Sequence, residues 1–188
     1  MNLLTVDHVT KVFTQRKIFE DASFYLQEQE KVGVIGINGT GKSTLLKMIA
    51  GIEEPDSGEV IYANQIVVHY LPQMPEFDPD ATVLESVLSY VSVGSVHKES
   101  NKDEHEMWNL ESSAKSMMTK LGIYDFDEKT GHLSGGQKKR LALVAVLLTP
   151  CDVLLLDEPT NHLDAEMAEW LENYLKNYRG AMIMVTHD

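Results

Sequence analysis

The chain has 188 residues, of which 43% are apolar and 24% charged, enough for one domain with a substantial core. Its formal net charge of −13 excludes a broad basic surface for nucleic acid, since such binding rests on neutralising phosphates, and leaves only local phosphate sites open. No apolar run approaches the roughly 20 residues that span a bilayer, the opening MNLLTVDHVTKVF has no signal-peptide pattern, and the single cysteine, Cys151, allows no internal disulfide; these point to a cytoplasmic protein without membrane insertion.

In chain order, residues 3–9 and 23–28 read as short strands, and KVGVIG (31–36) is a compact β-branched run ending at glycine. A helix is predicted from about Lys42 to Ala50, with Leu45, Leu46 and Ile49 on its apolar face. GEVIYA and IVVHYL give two more strands. After the turn-rich PQMPEFDPD, the segment TVLESVLSYV reads as a helix with Thr82 as N-cap and Val83, Val87 and Tyr90 on one side. Residues 94–106 are polar and charged, as in a solvated loop or helix end. Leu110, Ala114, Met117, Met118 and Leu121 then recur at helical spacing and read as a core-facing stripe.

LSGGQKKRLALVAVLL (133–148) predicts a helix capped by Ser134, with Leu141, Val144, Ala145 and Leu148 as its apolar stripe. Met167, Trp170, Leu171, Tyr174 and Tyr178 mark a further helix. VLLLD (153–157) and AMIMVTHD (181–188) are continuous apolar runs, expected of strands covered on both faces in a parallel sheet. Strands alternating with helices imply an α/β layered fold. Seven histidines are scattered without metal-ligand spacing, so zinc has no support.

Three segments carry chemistry. GINGTGKST (36–44) contains G-x-x-x-x-G-K-S through Gly36, Gly41, Lys42 and Ser43, between a predicted strand and a predicted helix. Glycines let backbone N–H groups wrap phosphate oxygens, the helix start adds positive partial charge, Lys42 can reach the β/γ-phosphates and Ser43 can ligate Mg²⁺. The bland alternative, a glycine-rich turn with an exposed lysine, fits the strand-to-helix context poorly. In LLLDEPTNHLD (154–164), Asp157 closes a strand where it can hold Mg²⁺ directly or through water, and Glu158 can orient or deprotonate the attacking water. Ser134-Gly135-Gly136 makes a second anion-binding helix start, although taken alone such a tripeptide is more often a plain cap.

In this order the segments resemble the ATP-binding cassette (ABC) ATPases along essentially the whole chain. Walker A is Gly36–Ser43, the Q-loop glutamine is Gln73, the signature is LSGGQ (133–137), Walker B is VLLLDE (153–158), the D-loop is Leu163-Asp164 and the switch histidine is His187. The resemblance implies an ABC-type P-loop α/β domain with a mostly parallel central sheet, an antiparallel β subdomain and a helical subdomain over about 74–132. It implies ATP and Mg²⁺ as cofactors. Phe13 takes the place of the aromatic residue that stacks on adenine, with a core phenylalanine as the alternative. Gly36, Asn38, Gly39, Gly41, Lys42, Ser43 and Thr44 line the phosphates, while Ser43, Gln73 and Asp157 serve Mg²⁺. Glu158 is the implied base, with Gln73 and His187 as its catalytic companions. Ser134, Gly135, Gly136 and Gln137 act in trans on the nucleotide of a paired domain, and Asp164 lies at the seam.

Transporter ATPases usually have SALD where this chain has NHLD (161–164), and DEPTNHLD is similar to the ABC-F subfamily. That resemblance implies a protein with two ABC domains on one chain acting on the ribosome, antibiotic protection being one such role. The alternative is the ATPase subunit of a membrane transporter. A clamp that binds ATP without turning it over is a third reading, against which the intact Glu158 and His187 count. As an ABC-F protein the chain reads as the N-terminal ABC domain, with the second domain beyond Asp188; the isolated chain would pair as a homodimer and hydrolyse ATP weakly. The ABC-F arm corresponds to about 86–121 and is short. Over 98–129 five lysines face eight acidic residues, a departure from what RNA contact favours.

Overall fold

The computed structural model describes residues 1–13, 16–37, 39–73, 75–94 and 104–186. The chain divides into two compact units, one formed by 1–70, 151–159 and 179–188 and the other by 71–150 and 160–178.

The first unit holds two sheets. Strands β1 (Asn2–Phe13), β2 (Arg16–Gln27) and, further along the chain, β4 (Ser57–Tyr62) form an antiparallel sheet in the order β2-β1-β4. Both β1 and β2 are longer than the strands read at 3–9 and 23–28. The reason is irregular pairing: register shifts fall between Val6 and Val9 and again beyond Val9, with His8 at φ 48° and Asp21 at φ 54°. Bulges of this kind break the period of two that makes a strand visible in sequence. Opposite the His8 bulge stands Gly58 at φ 78°, where a methyl would come within 2.3 Å of the His8 carbonyl oxygen, so only glycine fits.

The second sheet has the order β3-β7-β6-β5, from β3 (Lys31–Ile35), β5 (Val68–Leu71), β6 (Val153–Asp157) and β7 (Ala181–Thr186). β7 runs parallel to both β3 and β6, as the apolar runs imply. All five residues of β6 are buried. Helix α1 (Lys42–Ile49) packs on β6 and β7, and its Leu45, Leu46, Met48 and Ile49 share one core with Leu4, Val6 and Leu26 of the antiparallel sheet and with Val153, Leu155 and Ile183. Each such fully buried Leu or Ile is worth about 1.5–3 kcal/mol, so the core anchors the loop between β3 and α1 from both sides.

The second unit is helical: α2 (Val83–Gly94), α3 (Glu104–Lys120), α4 (Gly135–Leu148) and α5 (Ala165–Asn177). Thr82 caps α2 as expected. Its N–H donates to Glu85 Oε2 at 2.8 Å and its Oγ1 accepts from the Glu85 N–H at 3.2 Å. Of the expected stripe, Ala114, Met117, Met118 and Leu121, the last just past the end of α3, are buried, while Leu110 is half-buried. α4 corrects the expectation of a single apolar stripe, because Leu141 through Leu147 are all buried. It packs against both α2 and α3, and a helix covered on most sides has little amphipathic period to read. Tyr178 lies just past α5, as its C-cap.

Candidate functional site

The loop from β3 to α1 is built around backbone conformations that side chains resist. Gly39 has φ 78°, and Gly41, the N-cap of α1, has φ 96° and ψ 11°. A methyl on Gly41 would sit 1.9 Å from Ile18 Cγ2, so the packing of β2 under the loop independently demands glycine there. α1 consequently begins without a side-chain cap, leaving its first N–H groups to be satisfied by something other than its own N-cap side chain. Lys42 is only 8% exposed, and its ammonium donates to the carbonyls of Gly36 at 2.6 Å and Ile37 at 2.9 Å. Ser43 and Thr44 follow in the first turn and are half-buried.

Asp157 ends β6 with 0% exposure. Its Oδ2 accepts from the Tyr70 hydroxyl at 3.4 Å, whereas its Oδ1 has no hydrogen-bond partner among the described residues. A buried carboxylate oxygen left this way is costly unless a cation meets it. Burial first, then the neighbouring Asp157 charge, holds the Tyr70 phenol well above its usual range, so it stays a donor. Among the described residues no three His, Cys, Asp or Glu side chains cluster as a metal cage. A cation held by one carboxylate, one hydroxyl and ligand phosphates needs none, and oxygen donors of this kind suit Mg²⁺. Glu158 directly follows at φ 50°, its N–H donating to the Val185 carbonyl at 3.0 Å, so the chain turns sharply where the strand ends. It is 9% exposed.

In the helical unit, Ser134 is the N-cap of α4. Its N–H donates to Gln137 Oε1 at 2.9 Å and its Oγ accepts from the Gln137 N–H at 3.3 Å, a reciprocal capping box. Gln137 is thus engaged within its own turn. Because Ser134 Oγ uses a lone pair on Gln137, its proton remains to be donated outward, and Ser134 is exposed. The two glycines differ. A methyl on Gly135 would meet nothing within 4 Å, while one on Gly136 would meet His162 Cβ at 3.3 Å. Asp164 is exposed and caps α5, accepting from the Met167 N–H at 2.9 Å.

Of the residues expected at the site, the structure holds Gly36, Gly39, Gly41, Lys42, Ser43 and Thr44 in one unit and Ser134–Gln137, with His162 and Asp164, in the other. Gln73 is exposed at the start of the helical unit. Asn38 and His187 lie outside the described residues, as does the side chain of Phe13, whose backbone closes β1 opposite Arg16. Two contacts were not anticipated: Tyr70 on Asp157, and His162 on Gly136. Tyr70, half-buried in β5, carries no motif and gave no signal in the sequence beyond lying in the IVVHYL run; His162 was visible only as a subfamily marker.

Comparison with known proteins gives a consistent answer. Residues 19–161 match the family described as ABC transporter. The chain is 39% identical to an uncharacterized ABC transporter ATP-binding protein, YfmR, from Bacillus subtilis, covering 100% of this chain and 34% of the relative. It is 37% identical to the energy-dependent translational throttle protein EttA of Haemophilus influenzae, an ABC-F protein, covering 98% of this chain and 38% of EttA. The chain therefore spans little more than a third of the length of these relatives. A solved ATP-binding cassette, MJ0796, described as a dimer in a post-hydrolysis state with ADP and Pi, superposes with TM-score 0.82 at 24% identity, covering 99% of this chain and 88% of that one. The fold is accordingly that of ABC ATPases, and the chain belongs to the ABC family of ATP-binding, ATP-hydrolysing domains.

Proposed function

We propose that this chain is one ATP-binding half of an ABC-F ATPase that pairs with a second ABC domain and acts on the ribosome. The observation that carries the translation reading is the similarity to EttA, an energy-dependent translational throttle protein, over 98% of this chain. The ribosome is then the partner, with antibiotic resistance one role such an action can serve, and the second ABC domain belongs to the same full-length polypeptide or, for the isolated chain, to a homodimer. Among the described residues no helix is long and apolar enough to cross a membrane. Within the single ABC domain, about 74–132 form the helical subdomain with a short arm near 86–121. In support, the alignment with YfmR extends over 214 residues for a chain of 188, so the relative carries residues this chain lacks.

Chemically, Lys42 exchanges its bonds to the Gly36 and Ile37 carbonyls for β/γ-phosphate oxygens, and the uncapped start of α1 with the Gly36–Thr44 backbone binds the remainder. Mg²⁺, which neutralises charge on the β/γ-oxygens, would be held by Ser43 Oγ and the orphaned Oδ1 of Asp157, with Gln73 as a further ligand. Glu158 accepts the proton of the attacking water and His187 contacts the γ-phosphate. Ser134 donates its hydroxyl proton, and Gly135 and Gly136 offer uncovered N–H groups, to the nucleotide of the paired domain. Gln137 holds that turn in shape, and Asp164 sits at the seam. Because half of each composite site comes from another domain, the isolated 188 residues bind nucleotide but hydrolyse it weakly.

The test is co-sedimentation of the full-length protein carrying Glu158→Gln with ribosomes. Retention in ATP but not in ADP is expected. Equal, or absent, retention in both nucleotides would overturn the ribosome reading and favour the transporter subunit.

A further inference from the structure

His162 was unexplained by the nucleotide chemistry, yet it is placed with care. An ideal methyl on Gly136 would lie 3.3 Å from His162 Cβ, 3.5 Å from Cγ and 3.7 Å from Nδ1, so the root of the imidazole rests on the α-carbon of the second signature glycine. Both residues belong to the helical unit. Gly135, one residue earlier, has no such neighbour, which makes the contact particular to Gly136. His162 reaches it from φ 69°, a left-handed conformation that few side-chain-bearing residues adopt and that Asn, Asp and His tolerate best.

Each side of the contact is independently pinned. Ser134 and Gln137 cap α4 reciprocally at 2.9 and 3.3 Å. On the other side, the Leu163 N–H donates to the Thr160 carbonyl at 3.1 Å, and Asp164, two residues past His162, caps α5 through the Met167 N–H at 2.9 Å. Two helix starts that cannot easily deform therefore meet through one glycine and one imidazole. A shift of either turn has to move the other.

We propose that His162 is a positioning residue that fixes the signature turn against Asp164, so that both are presented to the paired domain as one body. The inference deepens the pairing reading above and rests on it, while being independent of the ribosome. It also gives the NHLD sequence a physical reason. Ala, which takes this position in SALD, keeps only the Cβ contact and loses those of the ring, so it holds the signature turn to the D-loop less firmly.

The test uses full-length protein with Glu158→Gln and dyes on the two ABC domains, reading ATP-dependent pairing by energy transfer. Affinity for a fluorescent ADP analogue reports the Gly36–Thr44 loop alone, since ADP lacks the γ-phosphate that the signature would grip. For His162→Ala, half-maximal pairing should need about tenfold more ATP, with ADP affinity and melting temperature unchanged. His162→Asn repeats the positions of Cβ, Cγ and the next atom and tolerates positive φ; it should restore pairing to within about twofold of the parent. Pairing by His162→Ala at the parent's ATP concentration, or equal impairment of the Asn variant, overturns the proposal. So does a loss that merely tracks a fall in melting temperature. A parent that never pairs in ATP removes both this inference and the pairing reading, whereas a parent that pairs without binding ribosomes removes the ribosome reading alone.

Discussion

Asp157→Asn should make the nucleotide-free protein more stable while disabling its response to Mg²⁺. Asp157 is fully buried, one of its oxygens has no partner among the described residues, and the other receives a single long hydrogen bond from Tyr70 at 3.4 Å. An unsatisfied buried polar group costs about 1–3 kcal/mol, and more when charged. Asparagine has the same shape, carries no charge and can still accept from Tyr70. Its carboxamide N–H groups need partners of their own and take back part of the gain, so a net stabilisation of about 1 kcal/mol is expected. For a domain of this size that is a rise of about 2–4 °C in Tm. With ATP present, adding Mg²⁺ in place of chelator should raise the Tm of the parent; ligand at about 100 times its Kd contributes about 2.7 kcal/mol. The variant should show little of that increment. Calorimetric scans in four conditions, with and without ATP and with and without Mg²⁺, decide the matter. A lower Tm for nucleotide-free Asp157→Asn, or an undiminished Mg²⁺ increment, would refute the reasoning that the buried oxygen is kept for a cation.

Three more outcomes follow from the same geometry. Lys42→Ala removes charge-assisted bonds to phosphate worth about 1.5–3 kcal/mol and should weaken binding of a fluorescent ATP analogue about ten- to a hundredfold, as read by titration. Gly41→Ala forces a side chain into φ 96° and a methyl to within 1.9 Å of Ile18, so a loss of about 2 kcal/mol or more in urea unfolding is expected, together with lost nucleotide binding. The hydrogen bond from His8 to Asp21, and then the charges of Asp21 and Asp7, raise the His8 pKa above its ordinary 6.5. Its contribution is therefore fully present below pH 6.5 and fades as pH rises through the raised folded value. His8→Gln should lower the urea midpoint most below pH 6.5 and progressively less as pH rises through the raised folded value, with the difference shrinking in salt because the pair is exposed; a pH-independent difference would contradict it.

The parts of the site that could be read in the sequence are those whose determinants are local. The Gly36–Thr44 loop needs backbone freedom and a lysine within one turn, and both show in nine consecutive letters. Thr82 with Glu85 and Ser134 with Gln137 satisfy each other three residues apart, so both caps were legible. Periodicity failed where the structure departs from a simple two-sided element. Bulges at His8 and Asp21 hid the length of β1 and β2, and a helix buried all around its middle, α4, looked like an ordinary stripe. The contacts that most sharpen the site join residues distant in sequence, Tyr70 with Asp157 and Gly136 with His162, and no local pattern encodes such pairs.

The two helix starts proposed to bind anions are finished in opposite ways, and the difference matches the tasks proposed for them. α1 opens on a glycine with no side-chain cap, and its lysine is parked on the loop's own carbonyls. A phosphate placed there can meet those N–H groups and take over the ammonium from the two carbonyls. α4 opens on a serine and a glutamine that satisfy each other, backed by His162 on Gly136. That turn is satisfied by its own residues, and the exposed serine keeps a hydroxyl proton to donate. Rigidity in the free state lowers the ordering cost of association. A surface that must meet a nucleotide already seated in another domain benefits from this kind of preparation, since the encounter supplies few contacts with which to reorganise it. On the proposed function, the two starts would be complementary: the first exchanges internal partners for a phosphate, and the second is presented to a paired domain with its capping already made.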